Sequence, residues 1–313
     1  MKKAFLLISL FLPCFMYAED KSLALGLGNA NFFLDTNIME DGTISNVGFG
    51  LSYNDSWGGE IRGRAAITSK NEELEDSSVA DSLIATKETI YELYLLPAQY
   101  RPAVNQSFKW WIGAGLYYEY QKSIQKGYID MPDLAALGLA QVNSYSDDFS
   151  VHIFGPLIDA EVTYASEWFS ISFSGGIVPI FSLTAAEKQR MYPLFDTVNH
   201  SQNTWGAPYF YLGLDSILFK YVNVALKYNY ARLKYDVIDL DYNATANKFT
   251  PIFPESTVVS QSLMFEISAL IPLGGMSFQI GYGYMSNFYT RDAGDPVSEN
   301  KHYLILSGKK LSL

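Results

Sequence analysis

Ser150 and His152 have the spacing that comes closest to nucleophilic catalysis. Residues two apart in a strand point to the same side, so a hydroxyl and an imidazole would share one face here. A serine hydrolase needs such a base beside its nucleophile, and a third group that orients the base. The alternation around Ser150 predicts that the pair faces the interior of the molecule, where we expect a polar contact and no catalysis.

The other two histidines show no spacing that predicts chemistry. His200 lies in a polar stretch that we expect to be a solvated loop, and His302 begins the last strand without an evident partner. Nothing in the sequence has the spacing of metal ligands. The sequence therefore predicts no catalytic residue, no metal and no cofactor.

Charged residues recur on one face of several alternating segments, and this spacing could line a path for ions. They are Glu60, Arg62, Arg64, Glu92, Glu119, Asp159, Glu161, Asp215, Lys227 and Glu266. Rings of like-signed side chains bias which ions pass through a pore. Acidic residues outnumber basic ones in this set, which predicts a mild preference for cations. The alternative is that these charges pair and fill the interior.

The stretch from Tyr221 to Tyr235 shows what element carries such charges. Val224 and Leu226 alternate with Asn223 and Lys227, which is typical of a strand with one apolar and one polar face. The pattern recurs in about twelve segments, joined alternately by short and long links. Short links lie near residues 55, 166, 219 and 274. Long links span 69–86, 122–147, 182–204 and 236–257, and a further long link lies near residue 294.

Three local patterns predict further detail. Apolar residues after Asp130 predict a short helix at 130–141, and a capping box at Thr184 predicts a second helix at 184–192. Gly155-Pro156 predicts a bulge in the strand that contains His152. One of the helices could fold into the mouth of the structure and narrow it.

The composition favours a membrane protein that crosses with strands. Aromatic residues make up 15% of the chain, including 23 tyrosines, and tyrosine suits a membrane–water boundary. Past the first twenty residues, no apolar run approaches the ~20 residues of a membrane helix. The net charge of −11 argues against nucleic acid as a partner.

Residues 1–18 have the pattern of a secretory signal peptide. Lys2 and Lys3 precede a short apolar run, and Ala18 suits a cleavage site. Cleavage would remove Cys14, the single cysteine, and exclude a disulfide from the mature chain, 19–313. A lipoprotein anchored at Cys14 is the alternative, although Pro13 fits that motif poorly.

With these alternating segments, the chain resembles the bacterial outer-membrane β-barrel proteins, the broad porin-like class. The resemblance implies an all-β fold: a single transmembrane antiparallel up-and-down barrel with short periplasmic turns and long outer loops. It also implies an aromatic girdle at each membrane interface. The girdle candidates are Trp57, Trp110, Tyr118, Tyr120, Trp168, Trp205, Tyr228 and Tyr230. The chain departs from this class by ending in Leu313, where such barrels usually end in an aromatic residue.

The leading functional expectation is a passive outer-membrane pore for small hydrophilic solutes. Its expected partners are outer-membrane lipids, those solutes and, during biogenesis, the barrel-assembly machinery. Two alternatives belong to other classes: a surface-binding or structural barrel whose outer loops meet host molecules or lipids, and an outer-membrane lipid hydrolase.

Overall fold

The structure is a computed structural model, and its regular elements are strands. It describes residues 30–39, 42–53, 56–76, 79–102, 107–130, 141–192, 195–236, 238–243, 248–273, 276–291 and 297–310. The expected signal peptide, and the helix expected at 130–141 except for its two end residues, lie outside these ranges. No helix among the described residues is long and apolar enough to cross a membrane.

The strands follow one another along the chain with short connections. They are β1 (Ala30–Met39), β2 (Gly42–Ser52), β3 (Trp57–Asp76), β4 (Val79–Tyr100), β5 (Phe108–Asp130), β6 (Gln141–Ala165), β7 (Phe169–Val178), β8 (Phe181–Tyr192), β9 (Phe195–Leu218), β10 (Val222–Asp236), β11 (Asp239–Asn243), β12 (Lys248–Ile252), β13 (Glu255–Leu273), β14 (Met276–Arg291) and β15 (Val297–Lys310).

The strands pair antiparallel with their neighbours in sequence, and the pairings form a closed circuit. β15 pairs with β1, and β9 pairs with β10. β7 and β8 occupy successive parts of one position between β6 and β9, while β11 and β12 form a separate hairpin. The circuit of the described strands therefore has twelve positions. The predicted all-β, antiparallel up-and-down architecture is confirmed.

Along the part of the wall nearer the short turns, the apolar face of the strands points outward. On β10, Leu226 is 40% exposed and its neighbour Ala225 is 1% exposed. Outward-facing Ile61, Ile112 and Phe173 on other strands are equally accessible. A large apolar belt exposed to water would be costly, whereas lipid accommodates it. The wall therefore has the architecture of a membrane-spanning β-barrel, with its backbone polar groups paired between strands.

Several strands continue far beyond the apolar belt, so the long links expected from the sequence are largely wrong. β3 and β4 extend through most of 69–86, and β8 and β9 cover most of 182–204. The helix expected at 184–192 is also wrong, because Thr184 lies in β8 between His152 of β6 and Asn203 of β9. Pairing on both sides outweighs the local capping signal.

The outer part of the wall reverses its polarity. On β10, Arg232 and Lys234 point outward, while Leu233 and Tyr235 are buried inside. Water surrounds the wall above the bilayer, so charged groups face out and apolar groups pack inward. Leu233 and Tyr235 join an inner apolar cluster with Val151, Ile153 and Leu183.

The bulge expected at Gly155-Pro156 is wrong, because β6 stays in register with β5 through these residues. The change of phase lies in the neighbouring wall position, where Pro179 and Ile180 separate inward-facing Val178 from inward-facing Phe181. Gly155 accommodates this junction, since a Cβ there would lie 2.5 Å from the Ile180 carbonyl oxygen.

Candidate functional site

Arg62 makes the contact that distinguishes this lumen. From β3, its guanidinium donates hydrogen bonds to Asp159 of β6 and, at 3.1 Å, to the Tyr211 hydroxyl of β9. Its Nε lies 3.5 Å from Glu60 Oε1 on the same strand. β4 and β5 separate β3 from β6 along the wall, so Arg62 reaches its partners across the lumen. Asp159 is 1% exposed, which strengthens the ion pair by excluding water.

Four tyrosines surround Arg62 and occupy the same cross-section. The Tyr117 and Tyr209 rings stack with centroids 4.9 Å apart, and Tyr94 meets Tyr211 edge-on at 5.7 Å. The Tyr94 and Tyr209 hydroxyl oxygens are 3.3 Å apart, and the Arg62 guanidinium lies 5.0 Å from the Tyr94 ring centroid. We call Arg62, Asp159 and these four tyrosines the lumen belt.

Sequence reasoning missed the tyrosines of the lumen belt, although a signal for them was present. Tyr94 has the same parity as Glu92, and Tyr117 has the same parity as Glu119, which were both assigned to the inward face. Tyrosine is common at membrane interfaces, so the residue type by itself does not indicate an inward position.

Two other ion pairs join neighbouring strands and do not extend across the lumen. Arg64 donates to both carboxylate oxygens of Glu92 at 3.1 Å, and the two residues are opposite each other on β3 and β4. Lys227 of β10 donates at 3.2 Å to Glu266 on the adjacent β13. Each pair is satisfied between neighbouring strands.

The remaining predicted lumen residues also lie on inward-facing positions. Glu119 accepts hydrogen bonds from Tyr117 and Gln121. Glu60, Glu161 and Asp215 lie closer to the short turns than the lumen belt does, which gives that end of the lumen an acidic excess. All ten candidates thus lie on inward-facing positions, and their role as lining residues of a pore stays a prediction.

The lumen therefore has three layers. The inner apolar cluster fills the end of the lumen away from the short turns. There the ring centroids of Phe149 and Tyr235 are 5.4 Å apart. The lumen belt lies in the middle, and the acidic layer lies near the short turns. Pairing and packing thus fill much of the interior, as the alternative interpretation of the charges requires.

The eight girdle candidates lie on the outside of the wall at two levels. Trp57 and Trp110 flank Tyr100 near the short turns, with ring centroids 5.3 and 6.0 Å from it. At the other level, the Tyr120 ring stacks on Tyr91 at 6.2 Å. Eight to ten residues of β5 separate Trp110 from Tyr118 and Tyr120. A tilted strand of that length rises roughly 20–25 Å, close to the apolar band of known barrels.

The remaining girdle candidates fit the same two levels. Trp168 follows the short link after β6, and Trp205, Tyr228 and Tyr230 lie at the far level. Trp168 and Trp205 are 67% and 70% exposed. Tyr230 stacks on Phe210 with centroids 5.0 Å apart. Their orientation suits an interface, and their contact with lipid stays a prediction.

The structure corrects the orientation of Ser150 and His152. Both lie on the outward face of β6, because the strand keeps one phase throughout. His152 Nδ1 lies 2.9 Å from the Tyr118 hydroxyl, and Ser150 donates to the Ala186 carbonyl at 3.5 Å. Each group thus contacts a residue other than its supposed catalytic partner.

The other two histidines also have partners that the sequence did not indicate. His200 lies in β9 and not in a solvated loop; its ring stacks on Phe253 at 4.4 Å, and its Nε2 lies 3.4 Å from Asp236 Oδ2. His302 contacts the Tyr282 hydroxyl. In the described parts of the chain, no group of three or more His, Cys, Asp or Glu side chains could hold a metal ion.

No protein-family model matches this chain, and no curated protein is similar to it in sequence. Comparison with solved structures finds similarities at low identity and with TM-scores below 0.5. The translocator domain of the autotransporter NalP from Neisseria meningitidis is 13% identical, with a TM-score of 0.44, covering 90% of this chain and 87% of that one. The Ralstonia pickettii toluene transporter TbuX is 10% identical, with a TM-score of 0.38 and coverages of 90% and 89%.

The Escherichia coli outer-membrane protease OmpT is 8% identical, with a TM-score of 0.32 and coverages of 90% and 93%. These proteins include a translocator, a transporter and a protease. At these identities and TM-scores the likeness carries no argument about function, so function is argued below from the residues of this chain.

Proposed function

We propose that this chain is an outer-membrane channel for small hydrophilic solutes, whose lumen is closed at the lumen belt in the conformation described here. The observation that carries the proposal is the contact of Arg62 with Asp159 and Tyr211 across the lumen. Insertion into lipid requires an apolar exterior but does not require charged residues in the interior, so it does not explain the Arg62–Asp159 pair. A charged pair that bridges the lumen is therefore suited to a gate.

A mild preference for cations forms part of this proposal. Glu60, Glu161 and Asp215 share the layer near the short turns, and Thr163 and Gln99 donate to two of them at 2.9 and 3.0 Å. A cation that enters from this end would meet a negative potential before it reaches the lumen belt.

Arg62→Gln and Arg64→Gln form a matched pair of variants that tests the gate. Both remove one inward arginine from β3, but only Arg62→Gln breaks contacts across the lumen. We expect Arg62→Gln to raise the open probability in planar bilayers at least about tenfold, equivalent to ~1.4 kcal/mol. Arg64→Gln should conduct like the unmodified protein.

The gate proposal fails if the two arginine variants conduct equally, or if neither conducts. Folding of each variant is checked first by its heat-modifiable migration on denaturing gels. A folded Arg62→Gln protein that does not conduct would favour a closed barrel.

A surface-binding or structural barrel is the second candidate, and the inner apolar cluster favours it. Leu183 and Phe181 are fully buried inside the wall, so this end of the lumen is packed rather than merely narrowed. In that case the protein would act through its outer surface, and replacing the outer connections would abolish binding to a partner without changing conductance.

A lipid hydrolase is the third candidate and has the weakest geometric support. The outward position of Ser150 and His152 does make them reachable from the lipid. However, the two groups contact Ala186 and Tyr118. Hydrolysis of outer-membrane lipid that is lost in His152→Ala would support this candidate over the others.

A further inference from the structure

Three lysines lie together on the outside of the wall. Lys87 of β4 is directly opposite Ile124 of β5, so Lys122 and Lys126 are its two diagonal neighbours on the same face. Diagonal neighbours in a sheet have Cβ atoms about 7–8 Å apart, within reach of long side chains. We call Lys87, Lys122 and Lys126 the lysine patch.

The lysine patch carries an excess of positive charge. Asp148 of β6 is opposite Ile124, and its Oδ1 lies 2.9 Å from Lys122 Nζ. Among the side chains that the structure describes, no carboxylate pairs with Lys87 or Lys126. Apart from Asp148, the nearest outward positions on β3 and β6 are uncharged, including Ser69 opposite Lys87 and Ser146 opposite Lys126. On β8, Lys188 and Arg190 lie opposite Asp148 and Ser146 and add further positive charge beside the patch. Within the patch two positive charges therefore remain, and their mutual repulsion opposes this arrangement unless an anion binds.

The patch lies just beyond the far aromatic level. Lys122 is the next outward residue of β5 after Tyr120, which stacks on Tyr91. Aromatic side chains mark the headgroup level of a bilayer, and lysines extend their ammonium groups toward it. The patch lies at the end of the wall away from the short turns, which face the periplasm in outer-membrane barrels, so it would face the headgroups of the outer leaflet.

We propose that the lysine patch binds a phosphate monoester on a glycolipid of the outer leaflet. A phosphate monoester carries about −1.5 to −2 charges near neutral pH, which matches the two excess positive charges. A phosphodiester headgroup, with a single negative charge, would leave part of the excess uncompensated. The inference rests on the outer-membrane position of the barrel and not on conduction.

A second site on the same wall serves as a natural comparison. Tyr282, Tyr284 and His302 on β14 and β15 repeat the arrangement of Tyr118, Tyr120 and His152, with the histidine opposite the second tyrosine in both cases. The next outward residues there are uncharged, namely Ser286 and Asn300. The two sites share their aromatic groups and differ in lysines, so phosphate recognition is assigned to the lysines.

The test compares lipid binding by two double variants. Lys87→Gln/Lys126→Gln removes both excess charges and leaves the Lys122–Asp148 ion pair in place. Lys87→Arg/Lys126→Arg keeps the charges and is the matched control. Each protein is incubated with bisphosphorylated lipid A, with the same lipid after removal of its phosphates, or with phosphatidylglycerol, and bound lipid is counted by native mass spectrometry.

We expect the unmodified protein and the arginine variant to retain bisphosphorylated lipid A over the dephosphorylated form by about tenfold, since charge-assisted contacts are strong. The glutamine variant should lose this preference. Equal retention of the two lipid A forms by the unmodified protein would overturn the proposal. An undiminished preference in the glutamine variant would also overturn it. So would retention of phosphatidylglycerol by the unmodified protein that equals its retention of bisphosphorylated lipid A.

Discussion

Arg62 and Arg64 lie two residues apart on one face of β3, and the strand opposite decides what each one contacts. Arg64 is opposite Glu92 of β4 and is neutralised there. Arg62 is opposite Tyr94, which offers a ring and a hydroxyl but no carboxylate. Arg62 therefore extends into the lumen, where its acidic partner is Asp159 of β6, three wall positions away.

Gly115 illustrates how closely neighbouring strands approach at an irregularity. The register between β4 and β5 shifts between Leu95 and Ala98, and a Cβ on Gly115 would lie 1.8 Å from the Leu95 carbonyl oxygen. Backbone cannot move as easily as a side-chain end. Glycine is required here because the two strands approach closely, and not because the backbone adopts a positive φ.

Gly115→Val is therefore expected to destabilise the barrel by about 1–3 kcal/mol, the usual cost of overpacking. Ala114→Val, one residue away on the exposed outer face, is the control and should change stability little. Urea unfolding in lipid vesicles measures both. Equal stability of the two variants would show that the strands separate easily at this irregularity.

β10 crosses two environments, and its outward residues record the change. Leu226 lies between Tyr221 and Tyr230 and faces the apolar belt, whereas Arg232 lies beyond Tyr230. Leu233, next to Arg232, is buried inside. The strand is one continuous element, but water replaces lipid along its length and inverts the favourable pattern.

Leu226→Arg is expected to destabilise the barrel by about 2–4 kcal/mol, the cost of a cation on the lipid face near the midplane of a bilayer. Arg232→Leu, at an outward position of the same strand beyond the belt, should be nearly neutral. Unfolding by guanidinium in vesicles measures the difference. Similar costs for the two substitutions would contradict the assignment of the membrane boundary on β10.

The layered lumen is a property of the whole molecule, because strands distant in the circuit supply each layer. Glu60 of β3 and Asp215 of β9, which are five wall positions apart, both belong to the acidic layer. Lys227 of β10 is an inward-facing cation, so its charge opposes that of the acidic layer. Ion preference should follow the sum of these charges, with opposite signs for acidic and basic substitutions.

In the open Arg62→Gln background, Glu161→Gln/Asp215→Asn should shift the reversal potential in a salt gradient toward that of a non-selective pore. Lys227→Gln in the same background should shift it the other way, because it removes a positive charge. Reversal potentials that do not respond to either change would place the conducting path away from this layer.

Much of the fold could be predicted from local sequence. The outward face of β10 and the inward position of Glu60, Arg62 and Glu266 follow from alternation alone, since side chains of a strand must alternate. The predicted side-chain orientations are wrong where the surroundings of a strand change from lipid to water along its length. Val151 and Ile153 are apolar but pack inside the wall above the bilayer, so the rule that apolar residues face lipid gives the wrong orientation for His152.

Alternation, aromatic content and the absence of long apolar runs were enough to indicate a barrel with a charged interior. They could not indicate that Arg62 bridges the lumen, that four tyrosines share its layer, or that Lys87 is next to Lys122 and Lys126. Those contacts depend on strand register and on which strands stand opposite each other when the circuit closes. The register and the choice of facing strands are set by pairing between residues far apart in sequence, so they cannot be predicted from local alternation.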